Sequence, residues 1–208
     1  MAFTPAPLPA DALARSLAPF GESRMLPVEA YTSPEVFAWE KANFFSGWAC
    51  VGRSSDIAEP GMQRAEKVGD TTALLVRGED GVLRGFANVC RHRGHEILPC
   101  GSTAKARAIT CPYHSWSYRL DGQLFSAAGY GGFPSFDMSE FPLNALKVEE
   151  WHGFVFIDLS GTAGPLEQHL AGLEERIAPY RLETLEVRGR HEYVIKANWK
   201  IITENYQE

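Results

Sequence analysis

The sequence lacks the features that mark membrane, secreted and nucleic-acid-binding proteins. It contains no run of about 18 consecutive apolar residues, the length that a membrane-spanning helix needs. Its N-terminus lacks the positive segment and apolar core of a secretory signal. Acidic residues outnumber basic residues by 26 to 20, a net charge of −6, so the basic face of a general nucleic-acid binder is not expected. We therefore expect neither a membrane nor a nucleic acid as a partner.

Cysteine is scarce as well. The 208 residues include four cysteines, and their spacing is not typical of a disulfide framework. Such a chain is expected in a reducing compartment, with the cytoplasm as the default. The length is sufficient for one large domain, or for one domain and part of a second.

Two short motifs concentrate the chemistry of the chain. Cys90 and His92 are separated by one residue, Cys111 and His114 by two, and 18 residues lie between the motifs. Thiolates select zinc, Cu(I) or iron–sulfur iron, and imidazole suits zinc, copper and iron. Two cysteines and two histidines are also the ligands of a Rieske [2Fe–2S] centre, in which the cysteines hold one iron and the histidines the other. A structural zinc site is the alternative, although zinc ligands usually pair Cys with Cys and His with His.

Longer segments around these motifs resemble the large (alpha) subunits of Rieske non-haem iron oxygenases, a family that includes aromatic-ring-hydroxylating dioxygenases and enzymes like choline monooxygenase. The resemblance covers nearly the whole chain from about Tyr31 and implies a [2Fe–2S] cluster held by Cys90, His92, Cys111 and His114. A departure is Ser115, where glycine is commoner in the oxygenases. The similar segments are FFSGWACVG, CRHRGHEIL, CPYHSWSY, DGQLFSAA, WHGFVFIDL and NWKIITENYQE.

The resemblance also separates this chain from the respiratory Rieske proteins. Those proteins carry an additional cysteine in each loop, and the two form a disulfide. The corresponding neighbourhoods here hold His95 and Tyr113. We therefore expect loops without a disulfide and a cluster of the lower-potential oxygenase or ferredoxin branch.

The fold expected from pattern and resemblance is mainly β. A tail and helix occupy residues 1–45, a Rieske domain of antiparallel sheets residues 46–160, and the beginning of an α+β catalytic domain residues 161–208. Ser33 and Pro34 are typical of the start of a helix, and residues 78–81 of a hairpin turn. Each Cys/His pair is expected at the end of a strand, and Trp116 is expected to shield the centre from water.

The C-terminal part predicts three further elements. Leu166, Leu170 and Leu173 have the spacing of an amphipathic helix. Residues 185–196 alternate as a strand does, and Asn198 is a suitable cap for a last helix.

The Gly-rich segment 127–137 either covers the centre or is a mobile surface loop. His95, His152, His169 and His191 have no partner at ligand spacing, so each is expected to be an ordinary polar residue.

The resemblance implies further groups in a longer parent protein. In the oxygenases a mononuclear Fe(II) is bound by two histidines and one carboxylate, which would lie beyond residue 208. Glu208 resembles the carboxylate that bridges the Rieske histidine of a neighbouring subunit, here His114, to that iron; a solvent-exposed charge is the alternative. Because the last helix is cut in mid-turn, we expect a fragment that carries the cluster and is inactive alone.

The partners expected for the parent follow from the same resemblance. They are a ferredoxin or a flavin/iron–sulfur reductase as electron donor, O₂, and a small organic substrate, within a homotrimer or an alpha–beta hexamer. The substrate is either an aromatic ring, as in aromatic hydrocarbon catabolism, or a quaternary ammonium compound that is hydroxylated or demethylated. A free-standing Rieske electron carrier is a third possibility. The basic side chains near the motifs suit either docking of an acidic donor or a solvated surface.

Overall fold

The computed structural model describes residues 4–130, 132–133 and 135–207, which form two compact units. One unit is Gly47–Leu185, and the other combines Met1–Ser46 with Glu186–Glu208. The domain limits expected from the sequence stay a prediction. The α-helices are α1 (Ala10–Ser16), α2 (Glu29–Thr32), α3 (Pro34–Asn43), α4 (Leu166–His169), α5 (Glu174–Ile177) and α6 (Trp199–Asn205). The strands are β1 (Trp48–Arg53), β2 (Met62–Val68), β3 (Thr71–Arg77), β4 (Leu83–Ala87), β5 (Thr103–Lys105), β6 (Ile109–Thr110), β7 (Ser117–Tyr118), β8 (Leu124–Ser126), β9 (Ala145–Trp151) and β10 (Phe154–Asp158).

Two antiparallel sheets make up the Gly47–Leu185 unit, which confirms the mainly β prediction. The larger sheet has the strand order β1-β10-β9-β4-β3-β2-β5, and the smaller has the order β6-β7-β8. Strand β4 lies next to β9 through the pair Gly85 and Leu146. A Cβ on Gly85 would lie 2.3 Å from a methyl carbon of Val148. Glycine is therefore required where these two strands meet.

Strand β3 separates two hydrophobic clusters. Leu74 and Val76 belong to the cluster that contains Cys90 and Cys111, whereas Leu75 belongs to the other. Successive side chains of a strand point to opposite faces. The two clusters therefore lie on opposite faces of β3, and the cysteines belong to one of these cores.

The hairpin of β9 and β10 turns through two residues with positive φ. His152 has φ 45° and Gly153 has φ 77°, the combination found in type I′ turns. The His152 ring lies between two carboxylates, with Nε2 2.8 Å from Glu174 Oε1 and Nδ1 3.3 Å from Glu183 Oε2. The hydrogen bond to Glu174 is the main cause that raises the pKa of His152 above its ordinary value. His152 thus ties the turn to the α4–α5 segment.

Replacing His152 by glutamine is expected to make stability less dependent on pH. Because the folded pKa is raised, the charged ring contributes fully below the unfolded pKa of about 6.5 and loses its contribution as pH rises through the folded value. The Tm of the wild type should exceed that of His152→Gln between pH about 5 and 6.5, where the glutamates are charged, and the difference should shrink above that range. The exposed His169 provides the control variant, His169→Gln. A difference that grows with pH would contradict the prediction.

The amphipathic helix predicted across Leu166, Leu170 and Leu173 is wrong in its length. The chain forms the two short helices α4 and α5, which are separated by a turn in which Gly172 has φ 81°. Only Leu166 of the three leucines is buried in the core, since Leu173 is 40% exposed. The turn leaves no continuous apolar stripe for a single helix.

The second unit brings the N-terminal helices together with α6. The Ser33 side chain accepts hydrogen bonds from the first turn of α3, and Asn198 does the same for α6; both predicted caps are confirmed. Glu40 is buried in α3 and accepts hydrogen bonds from the Trp199 ring nitrogen and from Lys200. A buried ion pair therefore joins α3 to α6.

The strand predicted over residues 185–196 is wrong. The structure contains no strand in this segment, and Tyr193, Val194 and Ile195 are 75%, 93% and 56% exposed. An alternating pattern forms a strand only where a neighbouring strand supplies hydrogen bonds and a surface to cover, and the structure pairs no strand with this segment. Among the described residues, no helix has the length and apolar character to cross a membrane.

Candidate metal centre

Two loops with the same backbone hydrogen bonds carry the candidate ligands. In the first loop, the Cys90 N–H donates to the His95 carbonyl and the Cys90 carbonyl accepts from Gly94 N–H, at 2.8 and 3.0 Å. In the second loop, Cys111 makes the equivalent bonds with Trp116 and Ser115, at 2.9 and 3.0 Å. The second loop joins β6 to β7. Each cysteine thus begins a closed turn of the same size, in which the histidine follows two or three residues later.

The two loops share a left-handed residue at the position four after the cysteine. Gly94 has φ 70° and Ser115 has φ 59°. The left-handed region suits glycine and strains residues with a Cβ. The structure therefore gives a reason why glycine is favoured at position 115, and it shows that serine adopts the same conformation there.

Ser115→Gly is expected to stabilise the fold by about 1 kcal/mol, because it removes the strain of a left-handed serine. Gly94→Ala should destabilise by a similar amount or more. The nearest heavy atom to a Cβ on Gly94 is 4.0 Å away, so its effect would report the backbone and not a collision. Urea denaturation of the three proteins measures both changes. Equal stability of Gly94→Ala and the wild type would show that a left-handed residue with a Cβ is not strained in these turns.

The two thiols of the centre are buried and unbridged. Cys90 and Cys111 are each 2% exposed, and no disulfide forms among the four cysteines, as expected. Burial is the main cause that raises the pKa of Cys90. A buried thiolate needs a compensating positive charge. Cys90 would therefore ionise most readily on binding a metal.

Tyr118 is a neighbour of Cys90 that the sequence did not single out. It is fully buried, and its hydroxyl oxygen lies 3.3 Å from the Cys90 sulfur and accepts from the Arg91 N–H at 3.1 Å. Because the oxygen already accepts one bond, its own hydrogen is available for the sulfur. Burial raises the pKa of Tyr118, which keeps this hydrogen in place. Tyr118 can thus stabilise a thiolate at Cys90.

The two imidazoles lie together beside this pair of thiols. The rings of His92 and His114 are 4.8 Å apart between centroids. His92 stacks on Trp116 with centroids 4.8 Å apart, and Trp116 is buried, in agreement with its predicted role as a shield. The His114 Nδ1 atom is buried and has no hydrogen-bond partner among the described residues. A buried ring nitrogen without a partner is well suited to binding a metal.

The four candidate ligands form two like pairs, an arrangement that suits two irons. A single structural zinc ion would bind all four ligands around one point. A [2Fe–2S] Rieske centre instead needs two ligands on each of two separated irons. The paired buried thiols, the paired imidazoles and the free Nδ1 of His114 satisfy that need, so the four predicted residues can hold this cofactor.

Other candidate residues lie away from the centre or contact it from outside. The His95 ring packs 5.1 Å from Tyr113 and adds no ligand, and His152 bonds to glutamates as described. Cys50 and Cys100 are exposed. Glu208, the predicted bridging carboxylate, lies outside the described residues. Tyr118 and Tyr130, whose hydroxyls contact Cys90 and His92, were missed because each is far from its partner in sequence.

Comparison with known proteins gives the family of this centre. The sequence profile of the Rieske [2Fe-2S] domain matches residues 47–137, which include all four candidate ligands. The carnitine monooxygenase oxygenase subunit of Acinetobacter baumannii is 42% identical over 181 residues, which cover 86% of this chain and 48% of that subunit. The chain therefore spans about half the length of the curated relatives it matches.

Two solved structures have the same fold. A quaternary ammonium Rieske monooxygenase, described in terms of carnitine oxidation by gut microbiota and inter-subunit electron transfer, matches with a TM-score of 0.79 at 42% identity. The match covers 88% of this chain and 50% of that one. Naphthalene 1,2-dioxygenase from Rhodococcus sp. with bound indole matches with a TM-score of 0.77 at 27% identity, over 87% of this chain and 43% of that one.

Proposed function

Since this chain belongs to the Rieske non-haem iron oxygenases, we propose that it is the electron-relay part of a terminal oxygenase subunit. Cys90 and Cys111 hold one iron of a [2Fe–2S] cluster, and His92 and His114 hold the other. The observation that carries this proposal is the convergence of two buried thiols and two neighbouring imidazoles on matched loops. When bound, the cluster accepts and passes on one electron at a time.

The residues around the ligands adjust the centre to that task. Tyr118 supports the thiolate of Cys90, and Trp116 covers one side of the His92 ring. Hydrogen bonds to cluster sulfurs, and neutral imidazoles in place of thiolates, both raise the reduction potential. The potential is thus set by a hydrogen bond at the thiolate side of the cluster and by imidazole ligands at the other side. The closed loops keep the ligand geometry constant.

Electrons reach this centre from a ferredoxin or a flavin/iron–sulfur reductase and leave it for a mononuclear Fe(II) that activates O₂. The ligands of that iron lie beyond residue 208, and Glu208 is the carboxylate that links it to the Rieske centre of a neighbouring subunit. A trimer-based assembly, either a homotrimer or an alpha–beta hexamer, supplies that neighbour. The inter-subunit electron transfer described for the structurally similar monooxygenase supports this arrangement.

A quaternary ammonium compound is the substrate class that we propose. Identity is 42% with carnitine monooxygenase oxygenase subunits and 34% with a glycine betaine monooxygenase oxygenase subunit, against 27% with a naphthalene dioxygenase. The expected role in aromatic hydrocarbon catabolism finds no support in these carnitine and glycine betaine relatives. The reaction is accordingly a monooxygenation that hydroxylates or demethylates the substrate.

A free-standing electron carrier is the second candidate, and the extent of similarity argues against it. The Rieske domain profile ends at residue 137, whereas the similarity to an oxygenase subunit covers 181 residues of this chain. A free-standing electron carrier would need only residues 47–137, the region that the Rieske profile matches.

Two measurements test the proposal. The purified chain should contain about two irons and two acid-labile sulfides, as one cluster requires, and a third firmly bound iron would contradict the assignment of the second site to residues beyond 208. For the full-length protein with its reductase, O₂ uptake should respond to carnitine, glycine betaine or choline and not to naphthalene. Uptake with naphthalene alone would reverse the substrate class.

A further inference from the structure

We propose that Tyr130 is a positioning residue for His92: its hydroxyl orients the ring and lowers the reduction potential of the cluster. The inference rests on the proposed function, because it assumes that His92 is a ligand. It also gives a role to the Gly-rich segment, for which the sequence left two interpretations open.

The tyrosine hydroxyl contacts one of the two ring nitrogens of His92. The Tyr130 oxygen lies 3.3 Å from His92 Nε2, and the rings meet edge to face with centroids 5.7 Å apart. Both side chains are half-buried. The contact joins residues 38 positions apart, so it exists only because the fold brings Tyr130 back to the first loop.

Aromatic neighbours hold Tyr130 in this position. Its ring lies 5.0 Å from Phe136 and 5.6 Å from Trp116, between centroids. Trp116 in turn stacks on His92. Because the hydroxyl and the ring are both engaged, Tyr130 and Trp116 restrict the His92 ring from two sides. Side chains locked in this way keep a ligand in its productive orientation.

The contact also decides which nitrogen of His92 faces the cluster. Tyr130 occupies Nε2, which leaves Nδ1 for iron. In His114 it is likewise Nδ1 that is buried without a hydrogen-bond partner among the described residues. A neutral imidazole that binds metal through Nδ1 carries its hydrogen on Nε2. The Nε2–H of His92 therefore donates to the Tyr130 oxygen.

Such a hydrogen bond makes the metal-bound imidazole a stronger electron donor. A stronger donor stabilises the oxidised cluster relative to the reduced cluster, so the bond lowers the potential. Removing it should favour reduction by about threefold to tenfold, which at 59 mV per tenfold for one electron is an increase of about 30 to 60 mV.

The matched control is Tyr113, the tyrosine beside the other histidine. Its ring lies 3.8 Å from that of His114, but the structure gives its hydroxyl no hydrogen bond to the imidazole. Tyr130→Phe and Tyr113→Phe thus remove the same atom next to equivalent ligands, and only the first removes a ligand hydrogen bond. Both substitutions keep the aromatic ring and its packing.

The test is a potentiometric titration of the cluster-loaded chain, followed by EPR spectroscopy of the reduced state. Tyr130→Phe should raise the midpoint potential and shift the g values, while Tyr113→Phe should match the wild type. If loading falls in a variant, the loaded fraction still reports its own potential. Equal potentials for Tyr130→Phe and the wild type, or a decrease, would overturn the role of Tyr130 alone. A wild-type chain without iron and sulfide would overturn the proposed function and this inference together.

Discussion

Replacing His92 and His114 together by alanine is expected to abolish cluster binding. Iron should fall from about two per chain to near zero, and acid-labile sulfide and visible absorption should disappear with it. The physical reason is that two thiolates can hold only one of the two irons, so the second loses every protein ligand. Iron and sulfide assays of anaerobically purified protein measure the loss.

A neighbouring histidine provides the control for this experiment. His95 lies in the first loop and contacts Tyr113, but it has no place in the ligand set. His95→Ala should retain the iron, the sulfide and the redox spectrum. A double variant of His92 and His114 that kept its redox spectrum would refute the assignment of the cofactor, and with it the proposed function.

Glu40→Gln is expected to destabilise the second unit by about 3 kcal/mol, because it leaves the Lys200 ammonium without its carboxylate. The side chains of Glu40 and Lys200 are only 7% and 11% exposed. Glutamine keeps the size of the side chain and an oxygen that can accept from the Trp199 ring nitrogen. The loss therefore reports the ion pair and not a cavity. Urea denaturation, compared with the wild type, measures the effect.

The double variant Glu40→Gln/Lys200→Met separates charge from packing. Replacing both partners removes the uncompensated charge, so most of the lost stability should return. The exposed pair Arg15 and Asp11, with side chains 60% and 73% exposed, serves as a comparison. Asp11→Asn should change stability by less than about 1 kcal/mol, since exposed ion pairs contribute little. If Glu40→Gln were equally mild, the pair would not be important for joining α3 to α6.

Short local patterns in the sequence were sufficient to predict the ligands, two helix starts and one hairpin of this protein. The spacing of Cys90, His92, Cys111 and His114 identified the centre, because ligands in short loops are recognisable without knowledge of distant contacts. Ser33 and Asn198 predicted the starts of α3 and α6 for the same reason, since a helix cap depends on the next two or three residues. The hairpin between β3 and β4 was likewise readable from its turn.

Only the tertiary structure decided which distant side chains complete the site. Tyr118 and Tyr130 contact Cys90 and His92 across 28 and 38 positions, and no spacing rule connects such residues. Packing also overruled pattern in the C-terminal part, where no strand among the described residues pairs with the alternating residues 185–196. The chain sequence thus specifies its ligands locally. The orientation and the electrostatic environment of these ligands depend on long-range packing, because only the folded chain brings distant side chains such as Tyr118 and Tyr130 next to them.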